Sequence, residues 1–577
     1  MTNSPQHAPA LPQRFKDYIY KRPDLDVLKR KIELLLYSFQ AVDFVEAQIR
    51  LIRRINRALA EFRSMANLCY IRHSQNTRDP FYEAENAFFD ENMPQFEAIV
   101  TRIHEALLAS PFRRELEAHF GAQIFVLADL ARRAFSPEIV GELQQENALS
   151  TEYSRLKSQA QIECLGQTYN LSSIYALEVS PDRETRRAAA EAKWGFFEKS
   201  RSHIEGLFDQ MVALRTRMAY TLGAPNFIPI GYARMGRSDY DPDMVAVFRE
   251  EVRQSLVPLA GELYERQRRR LGLDHLLYYD EEFKFKTGNP RPIVASEQVV
   301  ASAADMYRSL SKDTDRFFVH MQRAGLMDLD NRDGKITGGY CTYVSKYRAP
   351  FIFANFNGTS ADVDVLTHEA GHAFQVWMSR SQPLEEYYWP TSDAAEIHSM
   401  SMEFFTRPWM DRFLGEDEAR KYDFMHLASA IQFIPYGVAV DEFQHRIYAQ
   451  PELKPEERNA VWSELERRYL PHRNYADNAF LCGGGFWQKQ SHIFNTPFYY
   501  IDYALAQICA FQFWIKDREN HARAWRDYVR LCRAGGSRSF LQLTELAGLE
   551  SPFNPGSLAR MADLLRKHMD GIDDSGF

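Results

Sequence analysis

The sequence predicts a mostly α-helical fold of two helical lobes, with a small β-sheet set beside one functionally loaded helix. Three observations lead there. Long stretches with helical apolar spacing and many intervening charges account for most of the 577 residues. Only one region, Lys335 to Phe356, reads as consecutive short strands. Immediately after it comes His368-Glu369-Ala370-Gly371-His372, a pattern that has chemical meaning only on a helix.

The helical runs come first along the chain. Leu28 to Phe62, Phe96 to Phe120, Pro181 to Leu222 and Pro242 to Leu271 each carry apolar residues at helical spacing. Ser180-Pro181 reads as a cap and first helical position after an irregular stretch from Gly166 to Val179. The lobe boundary is therefore placed there, giving an N-terminal helical domain over 1–180 and a catalytic domain over 181–577. Arg266-Gln-Arg-Arg-Arg270 reads as a solvated helix face, and Gly483-Gly-Gly485 and Gly535-Gly536 as loop turns.

Lys335 to Val344 and Pro350 to Phe356 read as two short strands, with Gly338 and Gly339 permitting close approach of another backbone. An exposed strand of this kind can pair with an extended peptide, which makes Gly338, Gly339 and Tyr340 candidate substrate-binding residues; a purely structural strand explains the pattern equally well. Asp328 to Gly334 hints at a calcium loop. Aligning Gly334 to the loop glycine puts Leu329 and Tyr340 where acids are required, so it is read as a turn.

Two histidines four apart on a helix lie about 40° apart around the axis, close enough to share one metal ion, and Glu369 lies about 100° from His368. A glutamate in that place activates water. Val363, Leu366, Ala370, Phe374 and Trp377 form an apolar stripe on the other side, and Thr359 to Asp362 reads as the helix start. Position 378 is methionine, which rules out a histidine as third ligand six residues on, so the third ligand should be a carboxylate from another helix. Thr391-Ser-Asp393 starts such a helix. Glu396 is the expected ligand, with Glu403 two turns later accepting from an imidazole N–H, and His398 on the opposite side as a structural histidine. The metal expected at His368, His372 and Glu396 is one Zn2+ per chain.

The runs Asp364 to Gln375 and Glu396 to Glu403 resemble the thimet oligopeptidase and oligoendopeptidase F family, particularly its Pz-peptidase-like branch. A third block, Ser491 to Gln507, is similar to the family's C-terminal segment, in which a histidine and tyrosines steady the reacting peptide. The residues of this block also carry their own reading. Thr496 and Pro497 read as a helix start that places Tyr499 and Tyr503 on one face, where a phenol can donate to a developing oxyanion. In a chain with 29 tyrosines an aromatic core stripe is the stronger reading of the pair alone; the resemblance reverses that preference. It also implies a catalytic role for His492 before this helix, an edge strand lying along the substrate, and a gluzincin-type fold whose lobes enclose a deep substrate channel with zinc at its base.

The function so implied is a zinc endopeptidase acting on short peptides, with Glu369 as general base and Tyr499 or Tyr503 as oxyanion donor. An exopeptidase on a related scaffold would need a fixed cation to grip a terminal carboxylate, and no arginine in the motifs offers one. Net charge is −8, which gives no basic surface for nucleic acid. Six cysteines without Cys-x-x-Cys pairs suggest neither a disulfide framework nor a thiolate metal site. No 18-residue apolar run occurs, and Met1 to Ala10 lacks a signal-peptide pattern, so the expected location is the cytoplasm, away from membranes.

Overall fold

The computed structural model describes residues 12–293, 296–574 and 576–577; the Met1 to Ala10 segment lies outside the described residues. The molecule is mostly helical, and one hydrophobic core cluster runs from Phe15 to Met569. The run predicted over Leu28 to Phe62 is two helices, Leu25–Ala41 and Val45–Gln75, because Val42 is extended and ends the first. Phe96 to Phe120 likewise divides between Pro80–Leu108 and Arg113–Phe120. The helix expected to start at Ser180-Pro181 is Arg183–Thr221 instead, because the Asp182 carboxylate takes the capping position and accepts from the Thr185 amide. Pro242–Leu271 is one helix, capped by Asp241 and closed by Gly272 in the left-handed region.

The stretch before Ser180 is not irregular. It holds strands β1 (Ile162–Cys164) and β2 (Gln167–Tyr169), an antiparallel hairpin turning at Leu165 and Gly166, both at positive φ, followed by the short helix Tyr175–Glu178. Three strands make the second sheet: β3 (Met327–Asp330), β4 (Tyr340–Val344) and β5 (Ala349–Phe356). β5 is central, parallel to β3 and antiparallel to β4, and nearly all of it is buried, as a strand covered on both faces must be. β4 is an edge. It begins five residues later than the run predicted from Lys335, because the buried Lys335 ammonium is tied to the Asp328 carboxylate and the Asp330 carbonyl while Gly338 turns through φ +95°. Of the segment read as a turn, Asp328 to Asp330 belongs to β3, leaving only 331–334 to turn.

The HEAGH helix is Ala361–Ser379, and Val363, Leu366, Ala370 and Phe374 are fully buried on it. Asp362, in its first turn, accepts from the amides of Asn357 and Gly358 just ahead of the helix, and neither Thr359 nor Ser360 caps it through a side chain. The second motif helix is Ser392–Thr406. The two cross in contact at Gly371, where a Cβ would stand 2.6 Å from the Ser399 Cα and 2.8 Å from the His398 carbonyl oxygen. Glycine costs roughly 0.5–1 kcal/mol relative to alanine inside a helix, so its place here is set by the crossing.

One surface reading is corrected. Arg266 and Arg270 are not a solvated face: they hold the C-terminal segment through the Met569 and Ile572 carbonyls and Asp574. Gly535 and Gly536 stand in a turn as expected and are also contact positions, where a Cβ would lie 2.1 Å from the carbonyl oxygens of Tyr387 and Trp389 respectively.

Gly371→Ala should lower stability by about 1–3 kcal/mol, the usual cost of overpacking a tight contact, even though alanine is the better helix former. Chemical denaturation of the metal-free chain measures this. Unchanged or raised stability would show that the helices can part without cost.

Candidate active site

His368, His372 and Glu396 come together as predicted: their ligating atoms all lie within 4.8 Å of one another, the one such group of three His, Cys, Asp or Glu among the described residues. Glu396 Oε2 is 3.2 Å from His368 Nε2 and 3.3 Å from His372 Nε2. The donor set suits zinc, being two imidazole nitrogens and one carboxylate oxygen, and the tautomer of His368 is fixed for it. His368 Nδ1 donates to Glu403 Oε1 at 2.7 Å, which leaves Nε2 as the free lone pair. Burial works against the Glu403 charge, but the bonds from His368 and His426 outweigh it and hold the carboxyl below its usual range. His426 Nε2 lies 2.8 Å from Glu403 Oε2, so Glu403 is fixed from both sides. Ser399 Oγ donates to Glu396 Oε2 at 2.9 Å, placing the hydroxyl beside the helix crossing in direct contact with the carboxylate. His398 is fully buried with Nδ1 bonded to the Ala394 carbonyl, outside the cluster.

Glu369 is buried, and its Oε2 has no hydrogen-bond partner. Burial pushes its carboxyl above the ordinary value, while His368 and His372 oppose the shift. Gly339 sits directly against it: a Cβ there would be 3.2 Å from Glu369 Oε1 and 3.1 Å from Val365 Cγ1. The strand entry thus reaches the carboxylate only because it has no side chain. Tyr340 stacks on Phe353 with centroids 4.7 Å apart, and its hydroxyl is buried without a partner.

The third block is built differently from the prediction. Thr496-Pro497 does not start the helix, which runs Tyr500–Ala534 after a separate short helix, Ser491–Asn495, that contains His492. Between them Phe498 takes φ +68°, held there by its amide bonded to Gln444 Oε1 and by Arg237 on its carbonyl. Tyr499 and Tyr503 still meet, with centroids 5.2 Å apart. Tyr499 donates to Glu396 Oε1 at 2.5 Å. Tyr503 pairs with His492 Nε2 at 3.1 Å.

A relay sets the direction of that last bond. The Tyr436 hydroxyl donates to Gln490 Oε1 at 2.9 Å, which turns the Gln490 amide nitrogen toward His492 Nδ1 at 2.7 Å. His492 Nδ1 is therefore the acceptor and Nε2 carries the proton. Burial lowers the imidazole to about 4, so it is neutral near pH 7. Its Nε2–H then donates to the Tyr503 oxygen, and the Tyr503 proton is left to point elsewhere.

His368, Glu369, His372, Glu396, His492, Tyr499 and Tyr503 line a cleft of about 940 Å3, together with Gly338, Gly339, Tyr340, Cys341 and Thr342. Its opposite wall comes from N-terminal segments, including Tyr70, Thr77, Asp90, Ser154 and Lys157. A second cavity, of about 380 Å3, shares His368, His492 and Tyr503 with the first and continues past them to Met400, Phe433 and Tyr500.

A family model described as peptidase family M3 matches residues 176–563, and one for the peptidase M3 N-terminal domain matches residues 15–135. The chain belongs to peptidase family M3. This M3 peptidase is 48% identical to a structure of Pz peptidase A with an inhibitor, at a TM-score of 0.97, covering 97% of this chain and 100% of that one. An oligoendopeptidase F homologue of Borreliella burgdorferi is 21% identical over 395 residues, which are 66% of this chain and 64% of that protein, so the match spans a little under two thirds of the relative. The oligoendopeptidase F structure from Enterococcus faecium, at 15% identity and TM-score 0.64 over 95% of this chain and 98% of that one, shares the fold. M3 membership implies zinc, and the three-residue donor group fits it. Among the described residues no helix is long and apolar enough to cross a membrane.

The M3 site residues missing from the sequence reading are His426, Gln490 and Tyr436. Gln490 stands two residues before His492, but nothing in its position showed which way its amide would turn. His426 and Tyr436 lie on the long helix Glu416–Ala449, where a histidine and a tyrosine among buried apolar residues look like core.

Proposed function

We propose that this chain is a zinc-dependent oligoendopeptidase that hydrolyses internal bonds of short peptides, with one zinc held by His368, His372 and Glu396. The observation that carries the proposal is the buried Glu369 carboxylate, whose Oε2 has no partner while the carboxylate adjoins three convergent ligand atoms in one cleft. Zinc at these residues supplies Lewis-acid polarisation of a carbonyl and of water. Glu369 takes the proton from the attacking water and passes it to the leaving amine, a role suited to a carboxylate that burial has made more basic. Tyr503, relieved of donating by the His492 relay, aims its proton at the oxygen of the scissile carbonyl. Tyr499 is engaged with Glu396 and steadies that ligand. His492 orients Tyr503, and the edge strand β4 with the Gly338-Gly339 segment that leads into it binds the extended peptide backbone beside Glu369.

The same reading takes 1–180 as a helical domain forming one wall of the channel and 181–577 as the catalytic domain. Six free cysteines suit a reducing compartment, and the cytoplasm is the proposed location.

Glu369→Gln should keep its zinc and lose turnover, whereas Glu396→Ala should lose zinc, and Glu403→Ala should bind it about 10–100-fold more weakly. Metal analysis alongside peptide hydrolysis separates the three, and full zinc with full activity in Glu396→Ala would overturn the ligand set.

Tyr503→Phe should lower kcat by about 10²–10³-fold with little change in KM, as loss of one oxyanion donor does. Tyr499→Phe should instead weaken zinc binding. Equal kcat in wild type and Tyr503→Phe would return Tyr503 to packing.

A cleft walled by both halves of the chain should admit extended peptides and exclude compact proteins. Offered a short quenched peptide, an unfolded casein-like protein and a compact folded protein, the enzyme should cleave the first efficiently and leave the last intact. Cleavage at interior sites of the folded protein would refute the channel.

A further inference from the structure

Phe498 stands at a left-handed backbone position, φ +68°, directly before Tyr499, and three holds from separate parts of the chain keep it there. Its amide donates to Gln444 Oε1 at 2.8 Å, from the helix Glu416–Ala449. Its carbonyl accepts from Arg237 Nη2, and the same nitrogen donates at 2.7 Å to Asp502 Oδ1, in the first turn of the helix Tyr500–Ala534. Its ring lies on Gly231 of the helix Ile228–Arg234, where a Cβ would stand 2.3 Å from Phe498 Cδ2. That ring is fully buried, with His445 and Tyr448 beside it at centroid distances of 4.9 and 5.5 Å. The guanidinium of Arg237 is buried too and lies over the Tyr232 ring at 4.4 Å. A glycine at 498 would adopt this φ without strain, whereas a phenylalanine adopts it only where its surroundings hold it. Gly231, Arg237, Gln444 and Phe498 line neither the cleft nor the second cavity, so they stand behind the site.

We propose that Gly231, Arg237 and Gln444 are positioning residues of the reaction, acting through the Phe498 backbone to aim Tyr499 at Glu396 and Tyr503 at the reacting carbonyl. The proposal rests on the roles given to the two tyrosines above and adds the residues that set their direction. A buried amide and carbonyl need partners in any fold. Here the residue so fixed immediately precedes Tyr499, whose hydroxyl donates to Glu396 Oε1 at 2.5 Å. Pinning both the amide and the carbonyl of Phe498 fixes the peptide planes on either side of it, and the second of those planes carries Tyr499. Through Asp502 the Arg237 guanidinium also ties the break to the residue next to Tyr503, whose oxygen lies 3.1 Å from His492 Nε2. Both phenols therefore take their register from one clamped residue. A misplacement of about 1 Å in a group that meets the reacting atoms is enough to cost about 10²-fold in rate.

The test is a pair of double-mutant cycles on the full-length enzyme. Gln444→Met keeps the length of the side chain and removes the acceptor of the Phe498 amide, so kcat should fall by about 10–100-fold with little change in KM. Gln444→Glu, which keeps an acceptor oxygen, should recover most of that loss. In the Tyr503→Phe background, Gln444→Met should cost no more than about a further twofold, because the group it aims is already gone. The second cycle reads zinc affinity by competition with a chelator. Gln444→Met should raise the zinc Kd by about 10-fold, and by no more than about twofold in the Tyr499→Phe background. Equal losses with and without the tyrosine hydroxyls would show that Gln444 acts elsewhere, and wild-type kcat and zinc Kd with only a lowered Tm would make the clamp structural; either overturns the proposal. Coupling in one cycle alone would confine the clamp to that tyrosine and overturn the other half. Should Gln444→Met fail to fold, Arg237→Lys, which keeps a cation beside Asp502, goes through the same two cycles with the same expected results. An unchanged kcat in Tyr503→Phe by itself would instead count against the oxyanion role, and the zinc cycle would still decide the clamp.

Discussion

The site depends on a contact that leaves no room for a side chain: the crossing of the helices Ala361–Ser379 and Ser392–Thr406 at Gly371. Glu396 lies one turn before Ser399, the residue met at the crossing, and His368 and His372 flank Gly371 on the other helix. The distance from the Glu396 carboxylate to both imidazoles is therefore fixed by backbone packing, with the long helix Tyr500–Ala534 holding the second motif helix from behind. In a close-packed interior a displacement of even one methylene is felt, so the glycine between the histidines is as much a part of the metal geometry as the histidines themselves.

Around that fixed point the polar groups are chained so that each has one orientation. Glu403 lies between His368 and His426 and sets which nitrogen of His368 is free. Tyr436 and Gln490 do the same for His492, and through it for Tyr503. Both chains end at the cleft, one presenting a lone pair and the other a proton. Glu369 is buried against Gly339 with one oxygen unbonded. An unsatisfied buried carboxylate oxygen costs stability, and the buried Nδ1 atoms of His372 and His426 in the same site also lack partners.

Much of this was legible in the sequence because local spacing carries it. Two histidines at i and i+4, a carboxylate on a second helix and two phenols near a histidine are patterns that survive without knowledge of the fold. Element ends were less legible, since they turned on side-chain bonds to backbone: Asp182 rather than Ser180 takes one cap, and the helix Ala361–Ser379 starts with no side-chain cap at Thr359 or Ser360. The break at Phe498 was invisible for a similar reason, because its φ of +68° is imposed by Gln444 and Arg237 from distant segments. His426 bonds Glu403 and Tyr436 bonds Gln490, the partner of His492, yet each looks in sequence like one more residue of a long helix. Nothing short of the fold brings them to the motifs.

The central claim is that two imidazoles and a carboxylate, brought together at the Gly371 crossing, hold the metal. X-ray absorption at the zinc edge of the zinc-loaded protein measures this directly, since it reports the kind and distance of the ligand atoms. Two imidazole nitrogens with oxygen ligands, all at about 2.0–2.2 Å, and no sulfur are the expected first coordination sphere. A sulfur ligand at about 2.3 Å, from Cys341 in the cleft wall, or a single imidazole would contradict it.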